Sequence, residues 1–181
     1  MTHPAKAIAA TATSLALALT LGACASVPAE QGDALGTATL VDTSGSPVGE
    51  AHLLRIGDSV ELSVTAQGLT PGEHGLHLHT TGRCTLPDFT SAGGHLNPTN
   101  QSHGLLGNDG SHLGDLPNLV AGANGSASTQ VRIDAAPSYA LDQIFDADGT
   151  AIVIHSGPDD GRTDPSGNSG SRVACGVMTR S

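Results

Sequence analysis

Two histidines, His77 and His79, occupy alternate positions in the apolar segment Gly75-Leu76-His77-Leu78-His79. In a β-strand, residues two apart point to the same face, so both imidazoles would project from one side of a sheet. A single histidine in such a place is more often a packed or surface group than a ligand. Two on one strand face, with further histidines nearby, predict half of a metal site.

Further candidate ligands follow in the chain. Six of the nine histidines lie between positions 74 and 112. His74 is set aside, because its odd spacing from His77 would turn it away from the pair. Loops on a rigid scaffold can bring distant ligands to one point, and imidazoles with a carboxylate suit Zn(II) or Cu(II). The remaining candidates stand in glycine-, asparagine- and serine-rich sequence or after an apolar run: His95, His103, His112, Asp115 and His155.

Short branched segments between glycine-rich turns indicate an all-β protein. The chain has 24 Gly and 10 Pro but only two Phe, one Tyr and no Trp, so its core must come from small aliphatic residues. Strand periodicity and turn signals predict a sandwich or flattened barrel with two long loops, 80–114 and 156–171, and no helix longer than a turn. The eight predicted strands are 34–41, 48–56, 59–66, 75–79, 116–121, 126–133, 151–155 and 172–178.

The first 23 residues have the pattern of a secretory signal. One charged residue, Lys6, precedes an apolar run that ends at Ala23, directly before Cys24. Leu21-Gly22-Ala23-Cys24 resembles a bacterial lipobox, which implies cleavage before Cys24 and its acylation. The alternative is an uncleaved anchor, although the run is short for a membrane span. We therefore expect a signal peptide at 1–23, a flexible tether at 24–33 and one domain at 34–181, exported and held to a membrane by lipid on Cys24.

The two other cysteines, Cys84 and Cys175, form an even pair in a chain predicted to be exported. Such a pair favours a disulfide, and two free thiols are the alternative.

The charge balance limits the possible partners. Without Lys6, six arginines face 17 acidic residues, so the mature formal charge is 6 − 17 = −11. This charge argues against nucleic acid as a partner. It would also repel an anionic substrate, so any attraction must be local.

An ordered set of motifs carries a family resemblance. Ligand spacings of eight residues from His95 to His103, nine to His112 and three to Asp115 separate the central motifs. The set resembles the exported bacterial copper,zinc superoxide dismutases over residues 34–181. The matching segments are Gly75-Leu76-His77-Leu78-His79, Ala92-Gly93-Gly94-His95-Leu96-Asn97-Pro98, His103-Gly104, His112-Leu113-Gly114-Asp115-Leu116 and Gly167-Asn168-Ser169-Gly170-Ser171-Arg172-Val173-Ala174-Cys175-Gly176-Val177.

The resemblance implies a Greek-key fold and roles for particular residues. A copper ion would be held by His77, His79, His95 and His155, and a zinc ion by His95, His103, His112 and Asp115. His95 would bridge both ions, part from copper on its reduction and deliver a proton. Asp159 would hydrogen-bond His77 and His103, and Arg172 would guide superoxide to copper.

The activity implied is the conversion of superoxide to dioxygen and hydrogen peroxide. The chain lacks the cationic rim of some relatives, because Arg162 is the only cation in the second long loop, beside Asp159, Asp160 and Asp164. We therefore expect weak long-range steering of the substrate. The rival hypotheses are a non-catalytic exported protein that binds copper or zinc and a scaffold with structural metals. The sequence leaves open whether the chain is a monomer or a homodimer.

Overall fold

The computed structural model of the chain describes Met1, residues 32–108 and residues 110–181. Cys24, the predicted signal peptide from residue 2 onward and the tether up to residue 31 lie outside the described residues. None of the helices in the described ranges has the length and apolar character of a membrane span.

In the part of the chain that the structure describes, ten antiparallel strands form one continuous sheet. Their order across the sheet is β4-β6-β7-β3-β2-β1-β9-β8-β5, with β10 paired to β1. Hairpins join β1 to β2 and β2 to β3, whereas longer connections cross between β3 and β4 and between β7 and β8, as in Greek-key folds. The strands are β1 (Asp33–Asp42), β2 (Pro47–Ile56), β3 (Ser59–Ala66), β4 (Gly72–His74), β5 (Leu76–His79), β6 (Leu119–Ala121), β7 (Ala127–Arg132), β8 (Ala151–His155), β9 (Arg172–Val177) and β10 (Thr179–Arg180).

The two outer strands of this order, β4 and β5, are separated in the chain only by Gly75. The sheet therefore curls until its two edges meet and forms a nearly closed barrel. The all-β antiparallel fold is confirmed, although the strand count is ten rather than eight. The two additional strands are short. β4 directly precedes the predicted strand 75–79, and β10 directly follows the predicted strand 172–178.

The barrel interior is filled by aliphatic side chains. On β3 the alternate residues Val60, Leu62 and Val64 are fully buried, whereas those between them are more exposed. Leu40 and Leu53 from β1 and β2 join the same buried cluster. Period-two alternation thus identifies the inner face of these strands correctly.

One short α-helix, α1 (Pro137–Ile144), contradicts the expectation that no helix exceeds a turn. Proline stands in its first turn, where the missing N–H has no helical partner to lose. Ala140 and Ile144, four residues apart, are fully buried against the barrel. Eight residues with two buried positions are too few to give a recognisable helical period in the sequence.

A disulfide between Cys84 and Cys175 joins the first long loop to β9, so the free-thiol alternative is wrong. The loop has little regular structure, with one 3-10 turn at Thr90–Ala92. Phe89 and Ala92 of this loop pack with Cys175 and with Val153 of β8 in a second buried cluster. The cross-link and this cluster hold the loop on the outside of the barrel.

Replacing both Cys84 and Cys175 with serine should lower the free energy of unfolding. The cross-link spans 91 residues, for which the chain-entropy model gives at most about 4–5 kcal/mol. Denaturant unfolding of the parent and the double variant measures the loss. Reductant should destabilise the parent and leave the double variant unchanged, and equal stability of the two oxidised proteins would contradict the prediction.

Candidate metal centre

Strand β5 separates the barrel core from the centre. Leu76 and Leu78 belong to the core cluster, while the alternating residues His77 and His79 lie on the opposite face. All four are buried, with His77 0% and His79 1% exposed. The outer face of β5 is therefore covered by other parts of the chain, although it does not face the barrel interior.

Backbone hydrogen bonds around Leu78 draw the first long loop onto β5. The Leu78 N–H donates to the Gly114 carbonyl at 2.9 Å, and the Leu96 N–H donates to the Leu78 carbonyl at 2.8 Å. The Gly114 N–H donates to the Leu96 carbonyl at 2.9 Å. These bonds fix two loop segments in register with the strand. The facing backbone pairs are His77 with Asp115 and His79 with His95.

A first group of four histidines could hold one metal ion. One ring nitrogen from each lies within 4.8 Å of the others. In each ring one nitrogen is buried and has no hydrogen-bond partner among the described residues, a costly state for a polar atom unless another ligand completes it. These atoms are His77 Nδ1, His79 Nε2, His95 Nε2 and His155 Nε2. Imidazole nitrogens of this kind suit copper or zinc.

In His79 and His155, the second ring nitrogen has a hydrogen-bond partner that fixes the orientation of the ring. His79 Nδ1 lies 2.9 Å from the Gly93 carbonyl, and His155 Nδ1 lies 3.2 Å from the Gly170 carbonyl. A carbonyl only accepts, so each Nδ1 carries the proton and leaves Nε2 free to bind a metal.

A second group comprises three histidines and one carboxylate. Asp115 Oδ1 lies 2.8 Å from His95 Nδ1 and 3.1 Å from Nδ1 of His103 and of His112. His112 Nδ1 is 3.4 Å from His95 Nδ1. A tetrahedral zinc site with bonds of about 2.0–2.1 Å separates its ligands by about 3.3 Å, so these atoms fit a zinc ion. His95 is the member common to both groups.

Burial keeps the rings of His79, His95 and His155 neutral and able to bind metal. Burial lowers the pKa of His79 to about 2, of His155 to about 3 and of His95 to about 4. Burial raises the pKa of Asp115, but hydrogen bonds from His95 and the Gly104 N–H outweigh it, and the pKa falls to about 2. At neutral pH the second group therefore offers a carboxylate anion at Asp115 and a neutral imidazole at His95.

Asp159 joins the two groups from the second long loop. Its carboxylate lies 2.6 Å from His77 Nε2 and 3.1 Å from His103 Nε2. Asn118 pairs with its backbone in both directions, each at 2.9 Å. Burial raises the pKa of Asp159, but these two histidines and the Gly161 N–H hold it well below its usual range. A charged carboxylate thus orients one ring of each group.

Arg172, at the start of β9, lies beside the first group and is held by the first long loop. Its Nη1 donates to the Phe89 carbonyl and its Nη2 to the Gly93 carbonyl, both at 2.6 Å. The side chain is half-buried. Because Gly93 also accepts from His79, one carbonyl positions both a ring of the first group and the guanidinium.

The structure brings together every histidine and carboxylate selected from the sequence for the two metal groups. His74 joins neither group and instead binds the Thr70 and His155 carbonyls. Sequence reasoning did not find the supporting residues Gly93, Gly170 and Asn118, whose roles rest mainly on backbone atoms. The nearest sequence signal was the position of Asn118, three residues after Asp115.

The carboxylate of Asp159 leaves no room for a side chain at Gly167. A β-carbon there would overlap Asp159 Oδ1 and lie 2.8 Å from His103 Nε2. We expect Gly167→Ala to displace Asp159 and to weaken zinc binding at the second group by about 10–100-fold, as loss of a supporting partner does. Competition with a chelator measures the affinity.

Gly57→Ala is the matched control for this prediction. Gly57 has φ 54, and no atom of the other described residues lies within 4 Å of the added carbon, whereas Gly167 has φ 63. Both substitutions therefore strain the backbone similarly, and only one meets the carboxylate. Equal zinc affinities of the two variants would refute the role given to Gly167.

The lowered histidine pKa values predict acid sensitivity of the metal-free protein. In the unfolded chain these histidines bind protons below about pH 6.5. In the folded protein the pKa is about 2 for His79, about 3 for His155 and about 4 for His95. Stability present above pH 6.5 is therefore lost as the pH falls. Thermal unfolding from pH 7.5 to 4.5 should show a falling midpoint. The fall should be shallower in a His79→Gln/His155→Gln variant, and parallel curves would count against this cause.

Comparison with known proteins identifies the family. The family model for copper/zinc superoxide dismutase (SODC) matches residues 47–178. Superoxide dismutase [Cu-Zn] 2 of Aquifex aeolicus is 42% identical over 147 residues, which cover 78% of this chain and 84% of that protein.

Solved structures agree in fold. A double mutant of a SOD-like protein from Bacillus subtilis superposes with a TM-score of 0.75 at 40% identity, over 80% of this chain and 98% of that one. The Cu/Zn superoxide dismutase from Brucella abortus gives 0.65 at 29% identity, over 79% and 98%. The chain belongs to the copper/zinc superoxide dismutase family and is a superoxide dismutase with copper and zinc as cofactors.

Proposed function

We propose that the chain converts superoxide to dioxygen and hydrogen peroxide at its first histidine group, which holds copper. Zinc is held by the second group. The observation that carries this assignment is the set of four buried ring nitrogens in the first group, which have no hydrogen-bond partner within residues 32–108 and 110–181. The second group contains the carboxylate and has the ligand separations of a tetrahedral zinc site.

Copper supplies the one-electron chemistry when bound, since it has two accessible oxidation states and zinc has one. The chain supplies four buried imidazoles for it. The copper ligands are His77, His79, His95 and His155, and the zinc ligands are His95, His103, His112 and Asp115.

His95 is the proposed proton donor. Its Nδ1 faces the second group at 2.8 Å from Asp115, while its Nε2 faces the first group without a partner. Whenever Nε2 is not bound to a metal it can carry a proton, at the place where peroxide forms and needs one. The fixed Nδ1 keeps the ring in position during this exchange.

Asp159 links the two groups through hydrogen bonds. Its hydrogen bonds to His77 and His103 fix the orientation of one ring in each. Partners of this kind make a metal ligand more basic and hold its tautomer. We therefore assign Asp159 a positioning role in both copper and zinc binding.

Arg172 is the proposed anion guide. Both of its terminal nitrogens are bound to loop carbonyls at 2.6 Å, so its charge is held in a fixed place beside His79. A guanidinium stays charged at any working pH and has donors left for a small anion. Superoxide is such an anion, and local attraction by Arg172 offsets the negative charge of the whole chain.

The N-terminal segment supports export and membrane attachment. The apolar run before Cys24 and the lipobox-like Leu21-Gly22-Ala23-Cys24 favour a signal peptide at 1–23, lipid on Cys24 and a tether at 24–33. The domain from residue 34 onward would then work outside the cytoplasm, attached to a membrane face. The disulfide between Cys84 and Cys175 suits such a compartment.

His155→Ala tests the assignment of the first group. In protein supplied with copper and zinc, we expect superoxide removal to fall by at least about 100-fold, since even supporting partners contribute 10–100-fold. His52→Ala is the control, because His52 is 40% exposed and belongs to neither group. Metal content is measured on all three proteins. A His155→Ala variant that keeps the parent's activity would eliminate the catalytic assignment and favour a metal-binding protein.

A further inference from the structure

One peptide unit connects an acidic side chain to Arg172. The Thr90 N–H donates to Asp88 Oδ1 at 3.0 Å, and the Phe89 carbonyl of the same peptide accepts from Arg172 Nη1 at 2.6 Å. The Asp88 carboxylate and the Arg172 guanidinium are thus joined by two hydrogen bonds and by the C–N and C=O bonds of the peptide, which are about 1.3 and 1.2 Å long. The carboxylate oxygen and the guanidinium nitrogen are therefore at most about 8 Å apart.

The position of the Asp88 carboxylate is fixed by the local backbone. The Thr90 hydroxyl also donates to Asp88 Oδ1, at 2.8 Å. Phe89 has φ 57, a left-handed conformation that is unusual for a bulky residue, and its ring is 0% exposed. The buried ring holds the peptide in place, so the carboxylate cannot move far from Arg172 without breaking these contacts.

The two charges act on each other through this short distance. Burial lowers the pKa of Arg172 and the Asp88 charge opposes that shift. Hydrogen bonds from Thr90 hold the pKa of Asp88 below its usual range, and Arg172 contributes. Asp88 is exposed, and within the described residues it takes part in no salt bridge. Its charge is therefore free to act on an anion that approaches Arg172.

On the basis of the function proposed above, we propose that Asp88 restrains the capture of small anions at Arg172. An anion drawn to the guanidinium enters a region within about one Debye length of the carboxylate, which is about 10 Å at 0.1 M salt. The repulsion subtracts from the attraction of Arg172. Asp88 thus sets the rate at which superoxide, or any small monoanion, reaches the first group.

Asp88→Asn isolates the charge from the turn. The asparagine oxygen still accepts from the Thr90 N–H and hydroxyl, so the turn and the Phe89 carbonyl stay in place. Coulomb's law in water at about 8 Å predicts about a twofold rise in the second-order rate constant for superoxide at low ionic strength. The rise should disappear near 1 M salt, where the Debye length is about 3 Å. Fast kinetics on the full chain with both metals measures it.

Asp58→Asn is the matched control for the change in net charge. Asp58 lies in the turn after β2, near the end of β1 where Asp33 faces Arg55. The other end of β1 pairs Asp42 with Ala174, two residues from Arg172. A ten-residue strand spans about 30 Å, so even without screening the Coulomb energy of Asp58 at Arg172 is only about a quarter of that of Asp88 at about 8 Å. Its variant should change the rate by far less than twofold.

Azide binding gives a second readout that does not depend on turnover. Titration of the copper-loaded protein with this monoanion, followed by absorption, should show about twofold tighter binding for Asp88→Asn than for the parent. Asp88→Glu keeps the charge but lengthens the side chain, and should bind azide with nearly the parent's affinity. Similar changes in the asparagine and glutamate variants would assign the effect to the turn and overturn the proposal.

The outcomes separate this inference from the proposed function. A parent protein with no copper-dependent removal of superoxide would refute the function itself. An active parent whose Asp88→Asn variant matches Asp58→Asn in rate and azide affinity would refute only the role of Asp88. A rise that persists in 1 M salt would also refute it, since a charge effect must be screened.

Discussion

Four imidazole nitrogens that are buried together, with no hydrogen-bond partner in the described ranges of the chain, constrain the whole centre. An isolated buried polar atom destabilises a fold, so such a set persists only where the surrounding structure fixes it and a metal can complete it. The second nitrogens of His79 and His155 are tied to carbonyls, and that of His77 to Asp159. Each of these contacts leaves one free nitrogen directed at the same point.

The barrel supplies the rigidity that this arrangement needs. Leu76 and Leu78 anchor one face of β5 in the aliphatic core, so the opposite face has little freedom. The hydrogen bonds around Leu78 then set the position of the first long loop, and the disulfide at Cys84 fixes the same loop to β9. Core packing and metal-ligand geometry thus depend on the same strand, because one face of β5 packs in the core and the other carries two of the histidines.

Alternation and spacing in the sequence predict much of this structure. The pattern of His77 and His79 reports strand geometry directly, because a period of two has one structural meaning. The barrel and the disulfide also follow from local patterns. The helix α1 was missed because eight residues show too little of a 3.6-residue period. The contacts of Gly93, Gly170 and Asn118 were missed because they depend on backbone atoms that loop packing brings together, which no local pattern encodes.

The electrostatics of the centre depend mainly on charges close to it. The chain carries a formal charge of −10, yet salt at physiological strength screens charges more than about 8 Å away. What an approaching anion experiences is therefore decided by the few groups near Arg172. The same loop supplies both the carbonyls that hold the guanidinium and the carboxylate of Asp88. Under the roles proposed for these two residues, the fold of the loop would set the attraction and its limit together. A loop fixed by a disulfide can keep this balance constant, which a mobile loop could not.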